Sequence, residues 1–447
     1  MLSRSKYHLF LLLFFLSGFA GLIYESVWAQ YIKIILGHAA FAQTFILVVF
    51  MAGLSVGAWI GGRFLLKHKR LFLIYVLIEI LIGFFALAFH PLFNLILNIA
   101  YTGAIFQGND FVPWILVFLL TFPSASMLGS TFPVMAGALQ NSIAVKKENV
   151  VSGLYFVNSA GGALGILAAG FIFIPKAGMH ETIIFAGILN ILIGLGAYFI
   201  SQKLLVGQLI SSQNKEPKKT PGNVVLVPIF IVAAITGASS MMYEIGWIRL
   251  LSMVLGSSVQ AFELMLSAFI FGLAMGAWWM SWRIGKLKNA KAFLVKVQLM
   301  MGIFALSSLF VYNQSYNLME FILRWIPKDE VGYWLFILGG NFIAFIIMLP
   351  ATICAGMTLP LMINILQNQG GQQSVIGKVY AINTLGGIIG VLLGFNLLMP
   401  LFGLKYLVVI AGGLDIAAGI GLALYYRHRF ASASFMLAFA SVMFFWR

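Results

Sequence analysis

The sequence predicts an all-α polytopic membrane protein made of two parallel six-helix repeats, on three observations. Composition is the first: of 447 residues 62% are hydrophobic and 9% charged, with a mean hydropathy of +1.01, a balance foreign to water-soluble globules. Run length is the second. Apolar segments at 9–19, 41–60, 71–89 and 183–200, with their flanks, reach the roughly 20 residues needed to cross about 30 Å of hydrocarbon as helix. Transmembrane strands would instead show short alternating segments. The third observation is that the chain says nearly the same thing twice.

Gly18, Tyr24, Glu25, Trp28, Gly37, Gly53, Gly57, Ala58 and Trp59 recur 219 residues later as Gly237, Tyr243, Glu244, Trp247, Gly256, Gly272, Gly276, Ala277 and Trp278. A second block pairs Pro123, Gly129, Thr131 and Pro133 with Pro350, Gly356, Thr358 and Pro360. It also pairs Tyr155, Asn158, Gly161, Gly162, Gly165 and Pro175 with Tyr380, Asn383, Gly386, Gly387, Gly390 and Pro400. Internal repeats in a membrane protein signal two bundles around a shared pathway or site.

Hydropathy and helix breakers place the first repeat over 1–202, with helices near 8–36, 39–66, 70–100, 111–140, 150–175 and 180–202. The second repeat, over 223–429, has helices near 224–254, 258–283, 291–325, 332–366, 375–402 and 404–426. An even number per repeat makes the two parallel, related by an axis along the membrane normal. Residues 203–222 are polar, basic and Pro/Gly-bearing, and are expected to form a cytoplasmic linker. The apolar stretch 430–447 is expected to be a short thirteenth helix or a helix lying in the interface. The first span shows no small-residue cleavage site and has an internal copy, so it is a helix and not a signal peptide.

Within the helices, Gly53/Gly57/Gly61, Gly161/Gly165, Gly272/Gly276 and Gly386/Gly390 form small-xxx-small faces that allow close backbone approach in lipid. Pro123/Pro133 and Pro350/Pro360 imply kinks whose freed carbonyls need a partner or a water-lined cavity.

The net charge is +15, gathered at Arg4/Lys6, 63–70, Lys146/Lys147, 203–219, 283–296, Lys378 and 427–429. The alternate turns are poor in Lys and Arg. This positive-inside pattern places the protein in the cytoplasmic (inner) membrane with its N-terminus in the cytoplasm, and explains the basic pI without nucleic acid. The single Cys354 excludes an internal disulfide and a cysteine-built metal site, and six scattered His residues show no ligand spacing. No Walker loop, dinucleotide fingerprint or nucleophile elbow is present, so neither enzymatic activity, a cofactor nor a bound metal is expected.

Ionisable groups at membrane depth cost roughly 2.5–3.5 kcal/mol and default to functional candidates. Glu25 and Glu244 lead because the repeat pairs them. Tyr24-Glu25-Trp28 and Tyr243-Glu244-Trp247 place acid and indole three residues apart on a helix, a plausible cradle for an organic cation. The competing reading is internal neutralisation by Lys33 or Arg249. Glu79 aligns with Gln298, and Asp415 with Asn190, so polarity is kept in both copies while charge sits in one; Glu79 and Asp415 are candidates for proton coupling or for satisfied buried polar groups. Asn158 and Asn383, beside Gly-rich helix turns, either face a cavity or bond a neighbouring helix.

The stretches GFAGLIYESVWAQ, GHAAFAQTFILVVFMAGLSVGAWIGGR and VYAINTLGGIIGVLLGFNLLMP resemble the membrane region of bacterial spermidine-synthase-like fusion proteins. In that family a domain similar to the major facilitator superfamily precedes a cytosolic aminopropyltransferase. GAWIGGRFLLKHKR also resembles the cytoplasmic loop of major facilitators, with Arg63, Lys69 and Arg70 matching its basic part and the usual acid missing. No soluble synthase domain is expected here, so aminopropyl transfer is not carried over. The parallel repeats and the paired acids Glu25 and Glu244 lead to the expectation of a secondary transporter of a small organic cation such as a polyamine, working by alternating access. The alternative is a non-transporting scaffold that docks an aminopropyltransferase-like enzyme or a larger assembly through its basic loops. A lipid-handling transferase would need a polar lateral opening. The expected partners are the lipid bilayer, a small cationic substrate and a cytosolic or membrane protein, with no nucleic acid.

Overall fold

Lipid offers no hydrogen bonds, so each crossing segment must satisfy its own backbone, and helix is the structure that does so within one segment. The computed structural model describes residues 4–36, 39–102, 112–142, 147–210, 223–256, 258–327 and 329–426, and its regular elements are all helical. The first repeat contributes α1 (Arg4–Leu36), α2 (Ala39–Arg63), α3 (Leu71–Thr102), α4 (Val112–Ser142), α5 (Lys147–Ala168) and α6 (Ile174–Ile210). The second contributes α7 (Asn223–Leu255), α8 (Val259–Arg283), α9 (Ala290–Trp325), α10 (Glu330–Asn368), α11 (Ser374–Leu393), the short α12 (Met399–Phe402) and α13 (Leu404–Tyr425). Among the described residues, eleven stretches are long and apolar enough to cross a membrane. One of them, Asn149–Gln202, has 54 residues, which as helix is about 80 Å and more than two crossings long.

That stretch is divided at Gly178, whose φ of 82° and ψ of 172° interrupt the helix. Gly403, its counterpart 225 positions on, has φ 84° and ψ 172° and separates α12 from α13. Nothing lies within 4 Å of a Cβ built on either residue. The requirement for glycine is therefore conformational, since an L side chain is strained at this φ.

The other departures from α-helix repeat as well. Short 3-10 turns occupy Leu65–Lys67 and Ile284–Lys286. Widened π turns occupy Ala169–Phe173 and Gly394–Leu398, immediately ahead of Pro175 and Pro400. A proline ring clashes with the carbonyl four residues back and offers it no N–H, and a wider turn relieves that conflict. The repeat thus extends to backbone irregularities that hydropathy does not show.

The chain separates into two compact units. The first comprises Met1–Pro221 with Gln367–Leu385, and the second Gly222–Leu366 with Gly386–Arg447. Inside the first unit, α1 packs on α5, α2 on α4 and α3 on α6. Inside the second, α13 packs on α9 and α7. Glycine sets the closest approaches: a Cβ on Gly57 would lie 1.8 Å from the Ser126 carbonyl oxygen of α4, and one on Gly276 would lie 2.0 Å from the Ile353 carbonyl oxygen of α10. Ser126 and Ile353 are themselves counterparts, so the small-residue faces pack at the same contact in both repeats.

The expected linker begins later than the sequence suggests, because α6 continues to Ile210. The residues 203–210, KLLVGQLI, hold no proline and are mostly good helix formers, so nothing stops the helix there. The rest of the linker, 211–222, and the apolar segment expected at 430–447 lie outside the described residues.

Gly276→Ala, forced against backbone, is expected to lower stability by about 1–3 kcal/mol. Gly413→Ala, which meets nothing within 4 Å, is expected to be neutral. Thermal unfolding of the two variants in the same detergent checks this pair.

Candidate functional site

The polar residues of the two repeats assemble into one buried cluster in each unit. Ser17 and Tyr24 lie seven residues apart on α1, two helical turns and hence on one face. That face meets Glu79 of α3 and Asn190 of α6. The Ser17 hydroxyl donates to Glu79 Oε1 at 2.7 Å, the Asn190 amide donates to Glu79 Oε2 at 2.5 Å, and the Tyr24 hydroxyl donates to Asn190 Oδ1 at 2.7 Å. Glu79, Tyr24 and Asn190 have no solvent exposure.

The second unit repeats the arrangement with the charge moved. Asp415 of α13 stands where Asn190 stands in the first repeat, and Gln298 of α9 where Glu79 stands. Asp415 Oδ1 accepts from Ser239 at 2.7 Å and from Gln298 Nε2 at 2.6 Å, while Oδ2 accepts from the Tyr243 hydroxyl at 2.7 Å. Thr236, the counterpart of Ser17, donates to Gln298 Oε1 at 3.2 Å. Each cluster therefore holds one carboxyl and one carboxamide on the same two helix positions, exchanged between repeats. No Lys or Arg pairs with either acid among the described residues. Burying a carboxylate costs several kcal/mol, and hydrogen bonds to a charged acceptor return about 1.5–3 kcal/mol each. Ser17, Thr236 and Ser239 escape a search for charges, although their spacing from the repeated tyrosines is a usable signal.

The repeated aromatics are part of this core. Tyr24 stacks on Trp28 with ring centroids 5.6 Å apart and Tyr243 on Trp247 at 5.0 Å. Both indoles are 1% exposed. Trp247 Nε1 donates to Ser308 Oγ at 2.9 Å. In the first repeat Phe89 occupies the position of Ser308 and stacks on Trp28 at 5.9 Å. The rings expected to wall a cation cradle are, in this structure, closed over by their own bundle, and the tyrosine hydroxyls are taken by Asn190 and Asp415.

Glu25 and Glu244 stand one residue round the helix from those tyrosines, about 100° away, and belong to neither cluster. Glu25 is partly buried. Glu244 is 7% exposed and has no hydrogen-bond or ion partner among the described residues. Neutralisation by Arg249 is not what forms: the Arg249 guanidinium sits 4.8 Å from the centroid of the Phe395 ring. Asn158 lies against α1, where a Cβ on Gly18 would stand 2.9 Å from its Oδ1. Asn383 on α11 is partly buried. Among the described residues, no three His, Cys, Asp or Glu side chains come together as a metal-holding group.

No family model matches the chain, and no curated protein matches it. Solved structures do. A bacterial homologue of the iron transporter ferroportin, in an outward-facing state, superposes with a TM-score of 0.62 over 95% of this chain and 100% of that one, at 15% identity. The same kind of structure with soaked iron gives 0.58 over 95% and 99%, at 13% identity. At such identities the likeness establishes the fold: a two-repeat, major-facilitator-like helical membrane protein. The finer resemblance to spermidine-synthase-like membrane regions has no support beyond its sequence blocks.

Glu79→Gln alone is expected to destabilise by about 1–3 kcal/mol, because the new amide faces the Ser17 and Asn190 donors. Glu79→Gln with Asn190→Asp recreates the residue pattern of the second cluster and should recover at least half of that loss. A double-mutant cycle in thermal unfolding measures the coupling. Ser308→Ala strips Trp247 Nε1 of its acceptor and is expected to cost about 1–3 kcal/mol by the same measurement.

Proposed function

We propose that this protein is a secondary transporter of a small cation, with a divalent metal ion as its first candidate substrate, working by alternating access. Glu244 carries the reading: a repeated acid, almost wholly buried, without a partner among the described residues. A carboxylate at membrane depth without a counter-charge is costly, and a cation in transit would offset that cost. Glu25 supplies the corresponding acid in the first repeat. Asn158 and Asn383, in the same unit as Glu25, would add carboxamide oxygens on that unit's side, and oxygen donors suit hard divalent ions that keep part of their water shell.

A metal ion is favoured over a polyamine on a physical ground. Cation–π recognition needs an accessible ring face, and Trp28, Trp247, Tyr24 and Tyr243 are all at most 1% exposed. The full-length likeness to iron-transporter homologues supports the same choice. Glu79 and Asp415 are assigned a coupling role: each is a buried acid held by neutral donors, able to exchange a proton without breaking an ion pair. The positive-inside pattern assigns the N-terminus to the cytoplasm.

In proteoliposomes, uptake of Fe²⁺, Mn²⁺ and Co²⁺ should be saturable for at least one ion, with spermidine neither transported nor competing. Glu244→Gln should reduce that uptake by roughly tenfold or more, equivalent to about 1.4 kcal/mol of lost interaction, in a variant of unchanged thermal stability. Absence of metal flux in sealed, protein-containing vesicles would overturn the proposal. Spermidine uptake lost in Glu244→Gln would return the substrate to the organic cations.

A further inference from the structure

A cavity of about 650 Å³ lies where the end of α2 and the turn after it meet the start of α11, inside the first unit. Arg63, Lys67 and Lys378 line it, together with Gly62, Gln372 and Ser374. None of the three cations forms an ion pair among the described residues, and no carboxylate lines the cavity. Three uncompensated positive charges around one concave space repel one another, and a bound anion would relieve that repulsion.

The walls are held firmly. A Cβ on Gly377 would lie 2.3 Å from the Ala58 carbonyl oxygen, and one on Gly62 would lie 2.8 Å from Gly377 Cα, so the two backbones touch. Ser55 Oγ donates to the Ala381 carbonyl at 2.9 Å on the same seam. The turn that carries Gln372 is fastened by Gln373, whose amide donates to Asn141 Oδ1 at 2.9 Å. The Val375 and Ile376 amides close that turn onto the carbonyls of Gln372 and Gln373.

The cavity also has the marks of a membrane–water boundary. The Arg63 guanidinium lies over the rings of Trp59 and Phe64, at 5.2 and 5.6 Å, and Lys67 Nζ lies 5.8 Å from the Phe64 ring centroid. Both rings are exposed, Trp59 by 39% and Phe64 by 45%. Aromatic rings beside snorkelling cations are the signature of headgroup depth, where lipid phosphates lie. The repeat does not duplicate the arrangement: the position of Lys378 is held by Gly153 in the first repeat.

We propose that this cavity binds a phosphate-bearing anion, with Arg63 and Lys67 on one side and Lys378 on the other, and that an anionic phospholipid headgroup at the interface is its favoured source. Guanidinium and ammonium groups suit phosphate oxygens as fork and point charge respectively, and Gln372 and Ser374 supply neutral donors. The exposed Trp59 and Phe64 rings would lie along the lipid's glycerol and upper acyl region.

The full chain, purified in a neutral detergent, would be titrated with phosphatidylglycerol, with phosphatidylcholine and with inorganic phosphate. Bound lipid would be read by native mass spectrometry and phosphate by equilibrium dialysis. The comparison variants are Arg63→Gln/Lys67→Gln/Lys378→Gln and a control, Lys286→Gln/Lys288→Gln, that removes exposed cations elsewhere. A preference for phosphatidylglycerol over phosphatidylcholine, weakened roughly tenfold or more in the triple variant and unchanged in the control, supports the proposal with a lipid as source. Saturable phosphate binding with the same dependence on the three cations, but no lipid preference, supports the site with a soluble anion as source. Equal anion binding by the wild type and the triple variant, or none by the wild type, overturns it. Matching unfolding midpoints without added lipid show that the triple variant is folded; if they differ, Lys378→Gln alone takes its place, judged by the same outcomes.

Discussion

Everything in this molecule follows from the absence of water along most of its length. Hydrocarbon cannot satisfy a backbone amide, a carboxylate or an indole N–H, so a partner inside the protein lowers the cost of burying each; the Trp28 indole N–H stays without one among the described residues. The backbone answers with helices. The side chains answer with two buried clusters in which neutral hydroxyls and carboxamides surround a single acid. Helices that must approach closely do so through glycine, because lipid supplies no hydrophobic force to press larger side chains together.

The exchange of acid and amide between the clusters shows what that constraint tolerates. A hydrogen-bond network at one set of helix positions needs a fixed balance of donors and acceptors, but it does not specify which helix carries the acceptor. Glu79 with Asn190, and Gln298 with Asp415, are two solutions to one requirement. Two carboxyls in one cluster would place like charges at hydrogen-bond distance without a cation to separate them. One acid per cluster is the arrangement that keeps a protonatable group in each bundle at tolerable cost.

The repeated acids obey a different logic. Glu25 and Glu244 share a helix with the cluster tyrosines yet point elsewhere, and Glu244 is left without a partner among the described residues. Glu79 and Asp415 are each held by several neutral donors, and Glu244 has none among the described residues. The cationic cavity beside α2 and α11 has a related incompleteness with the opposite sign, three cations without an ion pair among the described residues.

The sequence by itself determined the helices of the described residues, the two repeats and the pairing of Glu79 with Gln298 and of Asn190 with Asp415. It could do so because hydropathy and small-residue spacing are local properties, and the repeat supplies an internal comparison. Helix breaks at Gly178 and Gly403 were legible to within a few residues, whereas the continuation of α6 through 203–210 was not, since polar composition further along disguised a stretch of good helix formers. Only the tertiary structure decided which face of α1 and α7 looks inward. Glu–Trp spacing suggests a shared cradle, but packing turns Tyr24, Trp28, Tyr243 and Trp247 into the core and leaves Glu244 aside. Which residues stand three apart is a fact of one helix; which of them reaches a partner depends on helices more than a hundred residues away, as the Tyr24–Asn190 and Tyr243–Asp415 bonds show.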